Sequence, residues 1–146
     1  MHISLNLPQF NKKRTLMIVT DKEHAKFYIA YNGEINELID QGIHPDPEDI
    51  KLSSGGWRKN IPRKGKLVKS PKGLKSIFQA FTKKIRLTSL KIFKSKPFTD
   101  VYLYAPHHYQ PEVRESLHPY VLKKLTQVID GDFIHAHPIE LVQRVR

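Results

Sequence analysis

The chain has 146 residues, 39% of them hydrophobic, and its 25 Lys and Arg outnumber 14 Asp and Glu for a formal net charge of +11. That length and apolar content suit one domain with its own core and exclude a disordered basic tail. The lack of any cysteine excludes disulfide staples, thiolate metal sites and a Cys nucleophile, and is compatible with a reducing cytosol.

Residues 1–10 lack the charged-then-apolar pattern of a secretory leader, and no later stretch approaches membrane-spanning length, so the expectation is a soluble, cytoplasmic protein. Residues 15–20, Thr-Leu-Met-Ile-Val-Thr, form an apolar run rich in β-branched side chains, which suits a buried central strand. After a turn at 21–24, Ala25, Phe27, Ile29 and Tyr31 alternate with Lys26, Tyr28 and Ala30, the pattern of a second strand. Asn32-Gly33 favours a two-residue type I′ hairpin, and Ile35, Glu37 and Ile39 alternate beyond it with Asn36 and Leu38. Three antiparallel strands therefore open the fold.

Residues 42–73 carry Pro45, Pro47, Pro62 and Pro71 among glycines and show no sustained periodicity. A loop well beyond ~12–15 residues is more than a connection, and its charge points to function. From 74 to 94 the residues Leu74, Ile77, Phe78, Phe81, Ile85, Ile92 and Phe93 recur at helical spacing, leaving Lys75, Lys83, Lys84, Lys91 and Lys94 on outer faces. Residues 100–104 are the next strand, introduced by Pro97 and ended by Pro106; a crossover helix before it makes it parallel to the first. Pro111 and Pro119 each sit where a helix starts, predicting one helix to His118 and another through Tyr120, Val121, Leu122, Leu125 and Val128. Asp130-Gly131-Asp132 breaks that pattern, residues 133–135 read as a brief edge strand, and Pro138 opens a last helix over 139–145. The expected class is α/β: a single domain, 1–146, whose mixed sheet of three antiparallel strands, a crossover helix and a parallel strand is covered by helices.

Charge is the most unusual feature. Fifteen of the Lys and Arg lie between Lys51 and Lys96 with no acid among them, and the remaining ten stand against all fourteen acids. Solubility is served by mixed signs, whereas a one-sided cationic block calls for a polyanion. Nucleic acid is the expected partner. The candidate contacts are Lys51, Arg58, Lys59, Arg63, Lys64, Lys66, Lys69, Lys72 and Lys75 to phosphates, Gly55 and Gly56 permitting close backbone approach, and Trp57 stacking on a base.

Other chemistries fit less well. Adjacent His107 and His108 cannot both face one ion easily, and His135 and His137 have no third ligand nearby in sequence, so no metal or other cofactor is expected. Asp21, Asp100 and Asp132 at strand ends invite a two-metal nuclease, but the long helix has no acid to complete the set. Ser53 and Ser54 lack a base partner and a nucleophile elbow, and Glu112 and Glu115 flank Arg114 as an exposed pair. No catalytic residue is assigned.

The order of strands and helix, with a glycine-pair loop before the long helix, resembles the middle domain of archaeal and eukaryotic class 1 peptide-chain release factors. Residues 15–28, TLMIVTDKEHAKFY, resemble the opening of the bacterial host attachment protein family, a set of release-factor-like domains. Val101-Tyr102-Leu103-Tyr104-Ala105-Pro106 resembles that family's strand ending in Ala-Pro, with Val113, Arg114, Leu117 and Val121 similar to its next helix. Asp132, Pro138, Ile139, Glu140 and Leu141 are similar to its closing residues. The resemblance implies a ribonuclease H-like mixed sheet and a translation-associated role. It also implies that Gly55-Gly56-Trp57 occupies the place of the release factors' Gly-Gly-Gln, whose Gln helps place the attacking water. Trp has no acceptor oxygen for that task, so docking on ribosome or tRNA without ester hydrolysis is expected ahead of peptidyl-tRNA hydrolysis or a basic adaptor role. Self-association is left open.

Overall fold

Thr15–Thr20 forms strand β1, buried along its whole length, at the centre of a five-stranded sheet. The computed structural model describes residues 1–44 and 71–145, and the backbone alone for 71–76. Strands β2 (Ala25–Tyr31) and β3 (Glu34–Glu37) follow, then helix α1 (Pro71–Ser95), β4 (Asp100–Ala105), helices α2 (Gln110–Ser116) and α3 (Pro119–Leu122), β5 (Leu125–Asp130) and α4 (Pro138–Gln143). The sheet order is β3-β2-β1-β4-β5. β1 pairs antiparallel with β2 (Thr15 opposite Ala30) and parallel with β4 (Thr15 opposite Asp100), and β4 pairs parallel with β5.

Both faces of this sheet are covered, which is why β1 reads as an unbroken apolar run. On one face Leu16, Ile18, Phe27, Val101 and Leu103 pack with Phe81, Ile85 and Ile92 of α1 and with Val113, Leu117 and Val121. On the other, Met17, Val19, Tyr28, Tyr102 and Tyr104 meet Ile3 and Phe10 from the N-terminal segment, Phe133 and Ile134, and Leu141 and Val142 of α4. Each strand alternates between the two sets, as the two-residue repeat of the pleat requires. Tyr104 donates its hydroxyl to the Leu141 carbonyl at 2.7 Å, so the one polar atom of this buried ring is satisfied while it pins α4 to the sheet. The β2–β3 turn is the expected one: Asn32 and Gly33 have φ of 44° and 81°, the left-handed pair of a type I′ hairpin.

The opening strands, the crossover helix and the parallel strand match the expectation, with β3 ending at Glu37. Three elements differ. Residues 125–130 form strand β5 and not the continuation of a helix, because α3 stops after one turn at Leu122 and the backbone then pairs with β4, Val101 opposite Leu125. Residues 133–135 make a turn, closed by the Ala136 N–H on the Phe133 carbonyl at 3.0 Å, and not an edge strand. At the two ends of the expected loop of 42–73, Ile43 bridges Ala25 and α1 already begins at Pro71. Residues 45–70 lie outside the described residues.

Candidate nucleic-acid interface

Helix α1 spans 25 residues, about 37 Å at 1.5 Å per residue, and it has two faces of opposite chemistry. Phe81, Ile85 and Ile92 point into the core, and buried Ser89 keeps its place among them by donating its hydroxyl to the Arg86 carbonyl at 3.0 Å. Phe78 packs against Tyr109 at 5.5 Å, which sets the N-terminal half of α1 beside the end of β4. On the opposite side Lys83, Lys84, Arg86, Lys91 and Lys94 are all exposed. At 3.6 residues per turn Lys83, Lys84, Lys91 and Lys94 fall within an arc of roughly 100°, with exposed Leu87 between them. No Asp or Glu occurs in α1. The close carboxylate contacts among the described residues are Glu34 with His2 at 3.9 Å and Asp21 with His24 at 3.3 Å, so no described carboxylate pairs with the lysine face.

The sequence-derived site falls mostly outside the described residues. Lys51, Gly55, Gly56, Trp57, Arg58, Lys59, Arg63, Lys64, Lys66 and Lys69 lie outside the described residues. Lys72 and Lys75 belong to the first turns of α1, where the backbone alone is described. The exposed Lys83, Lys84, Lys91 and Lys94 of α1 belong to the basic block but not to the contacts expected from the sequence. The signal was the 83, 84, 91, 94 spacing read together with the absence of acids.

The other titratable groups build no acid–base machinery. Asp21 ends β1 and Asp132 follows β5, whereas Asp100 begins β4, the opposite end of a parallel strand about 20 Å long at ~3.3 Å per residue. The three carboxylates therefore do not gather. Asp21 accepts the Glu23 and His24 N–H groups at 2.8 and 2.6 Å and braces the β1–β2 turn, with the His24 and His44 rings 6.0 Å apart beside it. His137 and His118 act as helix N-caps, their Nδ1 atoms accepting from Ile139 and Tyr120 at 3.2 and 3.1 Å. No group of three or more His, Cys, Asp or Glu among the described residues is arranged to hold a metal ion. The Glu112 and Glu115 side chains are exposed on either side of Arg114.

The architecture is that of a mixed α/β protein, a five-stranded sheet with helices on its faces and a lysine-faced crossover helix. The chain belongs to the family described as "protein required for attachment to host cells", which matches residues 16–145. No curated protein matches it. Among solved structures it is similar to an archaeal translation termination factor, aRF1, at 10% identity and a TM-score of 0.49, over 82% of this chain and 30% of that one. It is also similar to the ethanolamine utilization protein EutJ from Carboxydothermus hydrogenoformans, at 14% identity and a TM-score of 0.46, over 89% of this chain and 47% of that one. The chain thus spans less than half of either protein, and no helix among the described residues is long and apolar enough to cross a membrane.

Proposed function

We propose that the protein is an RNA-binding, translation-associated factor that docks on ribosome or tRNA through its basic block, without hydrolysing the peptidyl ester. The observation that carries this reading is the acid-free lysine face of α1, which continues the cationic run that begins at Lys51. A row of unpaired cations repels itself, and a polyphosphate relieves that repulsion while releasing counterions. Gly55 and Gly56 supply backbone that can approach a phosphate closely, and Trp57 supplies a ring for a base. The glutamine that would orient water in a release factor is replaced by Trp57, which argues for docking over catalysis.

Sedimentation with ribosomes over a salt series, paired with a release assay on stalled ribosomes charged with peptidyl-tRNA, tests the reading. The expected result is salt-sensitive cosedimentation, weakened by Trp57→Ala, with the ester left intact. Ester cleavage abolished by Gly56→Ala would establish hydrolysis instead, and failure to bind ribosome or tRNA at low salt would remove the RNA reading altogether.

A further inference from the structure

Three stretches far apart in sequence bring seven cations to the end of the sheet where β1, β4 and β5 begin: Lys12, Lys13 and Arg14, then Lys94 and Lys96, then Lys123 and Lys124. Their convergence is fixed by backbone pairing. The Thr99 N–H donates to the Arg14 carbonyl at 2.8 Å, and the Val101 N–H donates to the Lys124 carbonyl at 2.8 Å, so the three entries to the strands lie side by side. Lys12 is held at the same end by its N–H on Asn32 Oδ1 at 2.8 Å, against the β2–β3 turn. With strands ~4.8 Å apart, the row from β2 to β5 is about 14 Å wide.

Two of these cations have structural work. Arg14 donates to the Pro97 carbonyl at 3.2 Å and lies 4.9 Å from the centre of the Tyr31 ring, while Lys124 lies 5.3 Å from that of Phe93. Lys12, Lys13, Lys94, Lys96 and Lys123 are exposed, and among the described residues their ammonium groups have no hydrogen bond, ion pair or ring contact. Among the described residues the acids at this end are Asp100, half-buried at the start of β4, and Glu34, which faces His2. The cations outnumber them and adjoin the lysine face of α1 through Lys91 and Lys94.

We infer that this end of the sheet is a second phosphate-binding surface, continuous with the α1 face, that takes the sugar-phosphate backbone of double-helical RNA. The inference rests on the RNA reading above and adds the class of RNA. Single strands are held by rows of aromatic rings on which bases stack. Here the rings already have partners, Arg14 on Tyr31, Lys124 on Phe93 and His118 against Tyr120 at 4.9 Å. What remains for a ligand is ammonium groups, which recognise phosphates without reading sequence. The lysine face from Lys83 to Lys94 runs about 17 Å at 1.5 Å per residue and the sheet end adds about 14 Å, a strip of roughly 30 Å along which several successive phosphates of a duplex can lie. An anionic bilayer fits less well, because the apolar face of α1 is spent on the core and, among the described residues, Leu87 alone remains among its lysines for insertion.

The test is anisotropy titration of the full chain against a labelled RNA hairpin with a stem of ~16 base pairs, a single strand of equal length, and phosphatidylserine vesicles, over about 50 to 200 mM salt. The variant Lys13→Gln/Lys96→Gln/Lys123→Gln spares the two pinned cations. It should flatten the slope of log K against log salt for the stem by about 2 to 3, at ~0.7–0.9 per phosphate contact, shrinking the loss of affinity across that range roughly 20- to 40-fold. Single-strand binding should change less, and Lys13→Arg/Lys96→Arg/Lys123→Arg should restore the slope, which separates lost charge from lost folding. A stem slope unchanged in the Gln variant, with the wild type still binding RNA, overturns this inference and leaves the RNA reading standing. A loss confined to vesicles overturns it in favour of lipid. A wild type that binds neither RNA overturns both readings.

Discussion

The two faces of helix α1 obey different rules. Its inner face, Phe81, Ile85 and Ile92, is packed with strands β1, β2 and β4 and contributes to stability in proportion to the apolar area it removes from water. Its outer face, Lys83, Lys84, Lys91 and Lys94, meets no compensating carboxylate among the described residues and contributes little to folding. A helix of a monomeric, unpartnered protein would mix acids among those lysines at i and i+4 for a small gain. The lesson is that the outer face is shaped by something other than the fold, and substitutions on the two faces should separate cleanly into loss of stability and loss of binding.

The largest expected effect lies inside. Ile85→Ala removes a fully buried side chain between α1 and the sheet and should cost about 2–5 kcal/mol in urea unfolding, while folded protein keeps the wild-type salt slope for RNA. Gly131→Ala should cost less, about 1–3 kcal/mol. Gly131 has a φ of +139°, and a Cβ there would come within 2.7 Å of Phe133 Cε2, a ring that Tyr104 and Arg144 already hold in place. A third effect appears only in alkali. Burial, with Glu37 adding to it, pushes the Tyr28 hydroxyl from 10.0 up to about 12, and burial raises Tyr104 as well. The folded state therefore holds these protons more tightly than the unfolded chain does. Their contribution is complete below about pH 10 and is lost as pH rises toward about 12, so thermal midpoints should be flat through neutrality and fall across that window. The smallest stability change should come from Lys83→Gln/Lys84→Gln/Lys91→Gln/Lys94→Gln, within about 0.5 kcal/mol of wild type.

Much of this architecture was legible because its signals are local. The unbroken apolar run of 15–20, the alternation of 25–31, the Asn32-Gly33 turn and the spacing of Phe81, Ile85 and Ile92 each name an element by themselves. β5 was not legible, because Val121, Leu122, Leu125 and Val128 keep helical spacing across a boundary between one real turn of helix and a strand. What ends the helix there is tertiary: β4 would otherwise present an unpaired edge, and Thr126, Val128 and Ile129 supply β-branched residues to cover it. Residues 1–14 carried no periodicity, yet Ile3 and Phe10 close the second core, a role that only the folded sheet creates. The same holds for the site. The basic block was visible as composition, whereas the meeting of Lys13, Lys96 and Lys123 depends on three strands starting side by side.

The most direct test of the account is the affinity of the full chain for tRNA as a function of salt, measured beside the variant that neutralises Lys83, Lys84, Lys91 and Lys94. With about six phosphates neutralised, the wild type should show a slope of log K against log salt near ~−4 to −5, and the variant should lose about 3 of it at unchanged stability. A wild-type slope near zero, or a variant indistinguishable from wild type, would contradict the claim that the outer face of α1 is built for an RNA backbone.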